Sequence, residues 1–149
     1  MATLRPILLV EDSPSDRELT LAALARCQIA NEIVIARDGE EALEWIYSRG
    51  PWKGRDPTDP AVILLDLKLP KIDGLEVLER LKKDPQQRHV PIVMLTSSRE
   101  ERDVVRSYDL GVNSFVVKPV EFDQFFEAIQ DLGMFWAILN EPPPRKSQA

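Results

Sequence analysis

A doubly wound α/β sandwich built on a parallel sheet is the fold class this sequence predicts, and three observations carry it. Short apolar runs recur five times, at Ile7–Val10, Ile33–Ala36, Val62–Leu65, Pro91–Leu95 and Phe115–Val117. Unbroken runs of that length read as strands buried on both faces, as in a parallel sheet. Each run is followed by a segment with helical spacing, giving a (βα)₅ alternation whose right-handed crossovers place helices on both faces. Finally, carboxylates, a hydroxyl and a lysine stand where four of the five runs end, the edge at which open α/β sheets bind ligands.

The elements follow in order. Ile7-Leu8-Leu9-Val10 is a strand after Pro6. Ser13 can cap the next helix, Pro14 fits its first position, and Asp16 suits its positive end. This helix runs to about Cys27 with Leu21, Leu24 and neighbouring alanines inward. Ile33–Ala36 is β-branched and forms the second strand. Asp38 and Glu41 have capping-box spacing, and Leu43, Ile46 and Tyr47 give the second helix its apolar side. Gly50 to Pro60 holds two glycines and three prolines in eleven residues and reads as irregular loop. Trp52 within it is expected to fold back on the domain.

Asp66 appears where the third strand ends, with breaker signals at Leu69-Pro70 and Asp73-Gly74. Leu75, Val77, Leu78 and Leu81 mark a third helix, closed at Asp84 because a residue before proline avoids helical geometry. The fourth strand ends at Thr96. Ser98 and Glu101 have capping-box spacing for a thinly apolar fourth helix (Val104, Val105, Tyr108, Leu110) that stops at Gly111. The fifth strand ends at Lys118-Pro119. Phe122, Phe125, Phe126 and Ile129 recur at i, i+3, i+4 and i+7, the spacing of an amphipathic fifth helix. Residues 1–133 form one domain, and residues 134–149 form an apolar extension with a Pro-rich tail. The topology is flavodoxin-like.

Composition narrows the function classes. The chain has 149 residues, 44% hydrophobic and 30% charged, an ordinary globular balance. A net charge of −6 argues against a general nucleic-acid surface, which needs clustered Lys and Arg. One cysteine, Cys27, excludes an internal disulfide. The longest apolar run, Met134 to Leu139, is too short to cross a bilayer. A cytoplasmic protein without membrane insertion is expected.

Glu11 and Asp12, Asp66, Thr96 and Lys118 would share one crevice at the carboxyl edge. Like charges about 4 Å apart repel by ~4 kcal/mol at an effective dielectric near 20. A hard divalent cation offsets this, and an all-oxygen donor set favours Mg²⁺ or Mn²⁺ over zinc. With a hydroxyl and a compact ammonium beside it, the set suits a phosphoryl group on a carboxylate.

Here the chain resembles the receiver domain of two-component response regulators. The matching pieces are Val10-Glu11-Asp12, Leu65-Asp66-Leu67-Lys68-Leu69-Pro70 with Asp73-Gly74, Leu95-Thr96-Ser97 and Val117-Lys118-Pro119. The resemblance implies a signalling phosphoacceptor rather than an enzyme, one that assists its own phosphorylation and dephosphorylation. Asp66 would take a phosphoryl group from a histidine kinase. Glu11, Asp12, Asp66 and the Lys68 backbone carbonyl would hold Mg²⁺, and Lys118 would pair with phosphoryl oxygens. Thr96 and Phe115 would be the switch pair, and Lys118-Pro119 would be cis. Phe115 lacks the hydroxyl of the tyrosine that many receivers carry.

The long loop before the third strand and Phe135-Trp136 resemble the short receivers that serve phytochrome-type kinases. Output would travel by protein contact. Phe135, Trp136, Ile138 and Leu139 either pack on their own domain or, as preferred here, bury against a second copy beside the fourth and fifth helices. Other residues have plainer readings: His89 as a loop residue, Cys27 as structural, Arg99 and Arg102 as a solvated helix face, Asp73 as turn chemistry. Two other classes compete. A phosphohydrolase of the haloacid-dehalogenase kind would want an acid where Lys68 stands. A docking scaffold has no physical need for clustered carboxylates.

Overall fold

The computed structural model describes residues 4–56, 58–107 (Ser107 by its backbone), 109–112 and 114–131. The strands are β1 (Ile7–Val10), β2 (Ile33–Ala36), β3 (Val62–Asp66), β4 (Ile92–Thr96) and β5 (Ser114–Val117). The α-helices between and after them are α1 (Pro14–Arg26), α2 (Gly39–Ile46), α3 (Gly74–Lys83), α4 (Arg99–Ser107) and α5 (Phe122–Asp131). All strand pairs are parallel, in the order β2-β1-β3-β4-β5. The doubly wound reading therefore holds, and β2 lies at an edge, where Ile33, Val34 and Ile35 are only half-buried.

Side chains alternate across the sheet because successive strand residues point to opposite faces. Ile7, Leu9, Val62, Leu64, Val93 and Leu95 pack under α1 and α5, against Leu24, Phe125 and Ile129. Leu8, Val10, Ile63, Leu65, Ile92 and Met94 pack under the other three helices, against Leu43, Leu78 and Val105. Burial of each large side chain stabilises the fold by roughly 1.5–3 kcal/mol, so these two layers fix the register of the strand ends.

The helix starts are capped from the sequence. Ser13 Oγ accepts the Asp16 N–H at 3.3 Å, Asp38 Oδ1 the Glu41 N–H at 2.7 Å, and Asp73 Oδ1 the Glu76 N–H at 2.9 Å. The two expected capping boxes are offset by one residue in their return bonds. Glu41 accepts from the Arg37 N–H and Glu101 from the Ser97 N–H, each one residue ahead of the cap. Both bonds therefore pin the strand-to-helix turn itself.

Some expectations need correction. Gly50–Trp52 is a turn of 3₁₀ helix rather than irregular chain. Gly50 enters it at φ 55°, a left-handed conformation that glycine adopts without strain. Trp52 is half-buried against the α2/α3 layer, as expected of a residue folded back on the domain. On α1 only Ala23 of the alanines is buried, because Ala22 and Ala25 fall on the solvent side of the turn. α4 ends at Ser107 rather than at Gly111, and of the apolar residues expected on it Val104 is 51% exposed, Val105 is buried in the core, and Leu110 lies past the helix, partly buried against that same core. Tyr108, the boundary at residue 133, and Phe135, Trp136, Ile138 and Leu139 lie outside the described residues.

Candidate functional site

β1, β3, β4 and β5 deliver their polar ends to one edge of the sheet. Glu11 directly follows β1, and its N–H bonds to Ala36 O of β2 at 3.0 Å, which continues the ladder one residue past the strand. Its side chain is therefore turned into the sheet edge and fully buried, whereas Asp12 is exposed. Asp66 is the last residue of β3, opposite Leu95 in register, and is 4% exposed. Thr96 closes β4 and is fully buried. The Lys118 N–H bonds to Thr96 O at 2.7 Å, and the Lys118–Pro119 peptide is cis.

These residues meet. Carboxylate oxygens of Glu11, Asp12 and Asp66 lie within 4.8 Å of one another. Lys118 Nζ lies 3.0 Å from Asp66 Oδ2, 3.2 Å from Glu11 Oε1 and 3.0 Å from Asp16 Oδ2. Three N–H donors thus face three carboxylates. Asp16 is the site residue that sequence reasoning missed: its place in the first turn of α1 already gave it a local reason. Spacing could have found it, since it lies one helical turn beyond the end of β1, at the carboxyl edge.

Electrostatics follow from this crowding. Burial pushes the Glu11 carboxyl up to about 7, and a hydrogen bond with Asp66 and its charge push the same way, while Lys118 opposes them. Burial works against the Lys118 ammonium, but hydrogen bonds to Asp16 and Asp66 and the charges of Asp66 and Glu11 hold its pKa above the ordinary lysine range. The Lys118 ammonium and the raised Glu11 carboxyl therefore offset part of the trio's repulsion. An all-oxygen set of this kind, with one carboxyl forced toward protonation, fits a hard divalent cation that replaces the proton.

Thr96 Oγ1 is buried with no hydrogen-bond partner among the described residues. A buried hydroxyl left unpaired costs about 1–3 kcal/mol, so this donor is free for a ligand oxygen. Phe115 is half-buried next to β4, and the Arg106 guanidinium lies over its ring at 5.0 Å. The two turns flanking Asp66 and Thr96 are joined by charge. Lys68 Nζ is 3.3 Å from Glu101 Oε2, and Glu101 holds the Ser97 N–H at 2.8 Å.

The remaining candidates have other partners. Asp73 caps α3, as turn chemistry predicts. His89 Nε2 sits 2.6 Å from Asp59 Oδ2 in the loops at the opposite end of the strands. Cys27 is buried at the α1 C-cap. Arg99 is exposed, as expected of a solvated helix face, and Arg102 is half-buried; both line a groove with Phe115 and Val117.

Known proteins resemble the chain along most of its length. The model of the response regulator receiver domain matches residues 7–130. The response regulator Rcp1 of Synechocystis sp. is 40% identical over 130 residues, covering 87% of each chain. A solved structure of the bacteriophytochrome response regulator AtBRR is 68% identical with a TM-score of 0.89, covering 94% of this chain and all of that one. The Mn²⁺-bound form of Rcp1 superposes with a TM-score of 0.71 at 38% identity, covering 94% of this chain and 99% of that one.

Proposed function

The chain belongs to the response regulator receiver domain family, and we propose from that membership and from the strand-end geometry that Asp66 is its phosphoacceptor. The observation that carries this is the Lys118 bridge: an ammonium 3.0 Å from a nearly buried carboxylate that also borders two further carboxylates. A receiver domain is a signalling protein of two-component systems, and its donor is a histidine kinase. The Asp66 carboxylate attacks phosphorus, a P–O bond forms, and the bond to the kinase histidine nitrogen breaks with its electron pair.

Glu11, Asp12 and Asp66, with the Lys68 backbone carbonyl, are the groups that would hold Mg²⁺ or Mn²⁺. A cation bound there neutralises charge on the carboxylates and on the phosphoryl oxygens. Lys118 keeps its ammonium on the same oxygens, and the unpaired Thr96 hydroxyl donates to one of them. Drawing Thr96 inward tightens the turn after β4, and Phe115 follows from beneath Arg106. The same residues assist loss of the phosphoryl group to water.

Relatives named as phytochrome response regulators support a phytochrome-type kinase as donor. A homodimer through the α4/β5/α5 face and residues 134–139 is supported by charge. Arg99, Arg102 and Arg106 line one wall of a groove of about 390 Å³, and Glu127 and Asp131 line the other. Arg102 Nε is buried without a hydrogen-bond partner among the described residues. Under a twofold axis the basic wall of one copy meets the acidic wall of its partner.

Transfer from a purified phytochrome-type kinase domain tests the function. Wild type should take the phosphoryl group and Asp66→Asn should not. Equal labelling of both would place the acceptor elsewhere.

A further inference from the structure

We propose that Asp16 is a positioning residue for Lys118: it holds the ammonium at the site while the other two carboxylates change partners. This rests on the reading of Asp66 as the phosphoacceptor.

Lys118 Nζ spends its three donors on Asp66, Glu11 and Asp16, at 3.0, 3.2 and 3.0 Å. Two of those acceptors belong to the carboxylate trio that can hold a metal, and Asp16 does not. When a cation takes Glu11 and a phosphoryl group occupies Asp66, two donors must find new oxygens. The bond to Asp16 needs no change. A lysine on four flexible carbons would otherwise swing into water at that moment, and ordering it again opposes transfer.

Asp16 is built to stay. It sits in the first turn of α1, with its own N–H on Ser13 Oγ and Pro14 fixing the start of the helix. The neighbouring Arg17 donates from Nη1 to Glu11 O at 3.1 Å and to Asp12 O at 3.3 Å. The first turn of α1 is thereby tied both to the loop that carries two of the carboxylates and to the lysine from β5. The Lys118 side chain is 14% exposed and that of Asp16 34%, so their attraction is only partly screened by water. No proton passes through Asp16, which acts by placing a charge.

The test compares rates of phosphorylation by acetyl phosphate with Mg²⁺, read by intact mass, for wild type, Asp16→Ala, Asp16→Asn, Lys118→Ala and the Asp16→Ala/Lys118→Ala double variant. Asp16→Ala should slow transfer about tenfold. Asp16→Asn should recover part of the loss, because its amide oxygen accepts the same bond. The double variant should be no slower than Lys118→Ala alone, since without the lysine there is nothing to position. A wild-type rate in Asp16→Ala, or additive losses in the double variant, would overturn the proposal and leave Asp66 as acceptor. No phosphorylation of wild type would overturn the Asp66 reading, and this one with it.

Discussion

Gly74 stands directly against the end of the strand that carries Asp66. A Cβ at position 74 would lie 2.0 Å from the Asp66 carbonyl oxygen and 2.8 Å from Leu67 Cα. The Gly74 N–H also bonds to Leu67 O at 2.8 Å. α3 therefore begins on the backbone of β3 with no room for a side chain. Gly74→Ala must push backbone rather than a pliable side chain, and should destabilise the domain by about 3 kcal/mol. Denaturant unfolding checks this, and a loss of Mg²⁺ affinity should accompany it as Asp66 shifts.

Thr96→Val should act in the opposite direction on stability. It replaces a buried unpaired hydroxyl by a methyl group of similar shape, which should stabilise the unphosphorylated protein by about 1 kcal/mol. The same change removes the donor awaiting a phosphoryl oxygen. Phosphorylation should proceed, but changes in partner or dimer affinity on phosphorylation should be blunted. Unfolding midpoints together with mass distributions before and after phosphorylation separate the two effects.

Metal affinity should depend on pH through Glu11. Its carboxyl is raised to about 7 from an unfolded value near 4.5, chiefly by burial. The stability held in that proton is present below about 4.5 and lost as pH rises through about 7. A cation must displace the same proton, so Mg²⁺ affinity should fall about tenfold per pH unit below 7 and level off above it. Calorimetric titration at pH 6, 7 and 8 in buffers of different ionisation enthalpy would read both the slope and the released proton.

The dimer reading predicts concentration-dependent mass by sedimentation, weakened by Trp136→Ala and by reversing charge at Arg102. An unchanged profile in both variants would return Phe135 and Trp136 to their own domain.

Much of this was legible in the chain because single residues carried local signals. Ile7–Val10 and Val62–Leu65 read as strands since both faces are buried, and Ser13 and Asp38 sit as caps one residue before their helices. The strand-end set of Glu11, Asp66, Thr96 and Lys118 followed from the alternation alone. What escaped had no local signature. Asp16 meets a lysine 102 residues away in sequence, and a helix start already accounted for its charge. Trp45, 3% exposed, is covered on one side by the Arg55 guanidinium 3.8 Å from its ring, a contact between α2 and a loop that periodicity cannot express. The 3₁₀ turn at Gly50–Trp52 was masked by its own glycine and proline.

Phosphoryl acceptance by Asp66 with the help of a divalent cation is what the whole strand-end arrangement is read to serve. The deciding measurement is intact mass after incubation with acetyl phosphate, with and without Mg²⁺, for wild type and Asp66→Asn. A gain of one phosphoryl group is expected in wild type only when Mg²⁺ is present, and none in Asp66→Asn. A gain that persists in Asp66→Asn, or that is indifferent to Mg²⁺ removal, would contradict it.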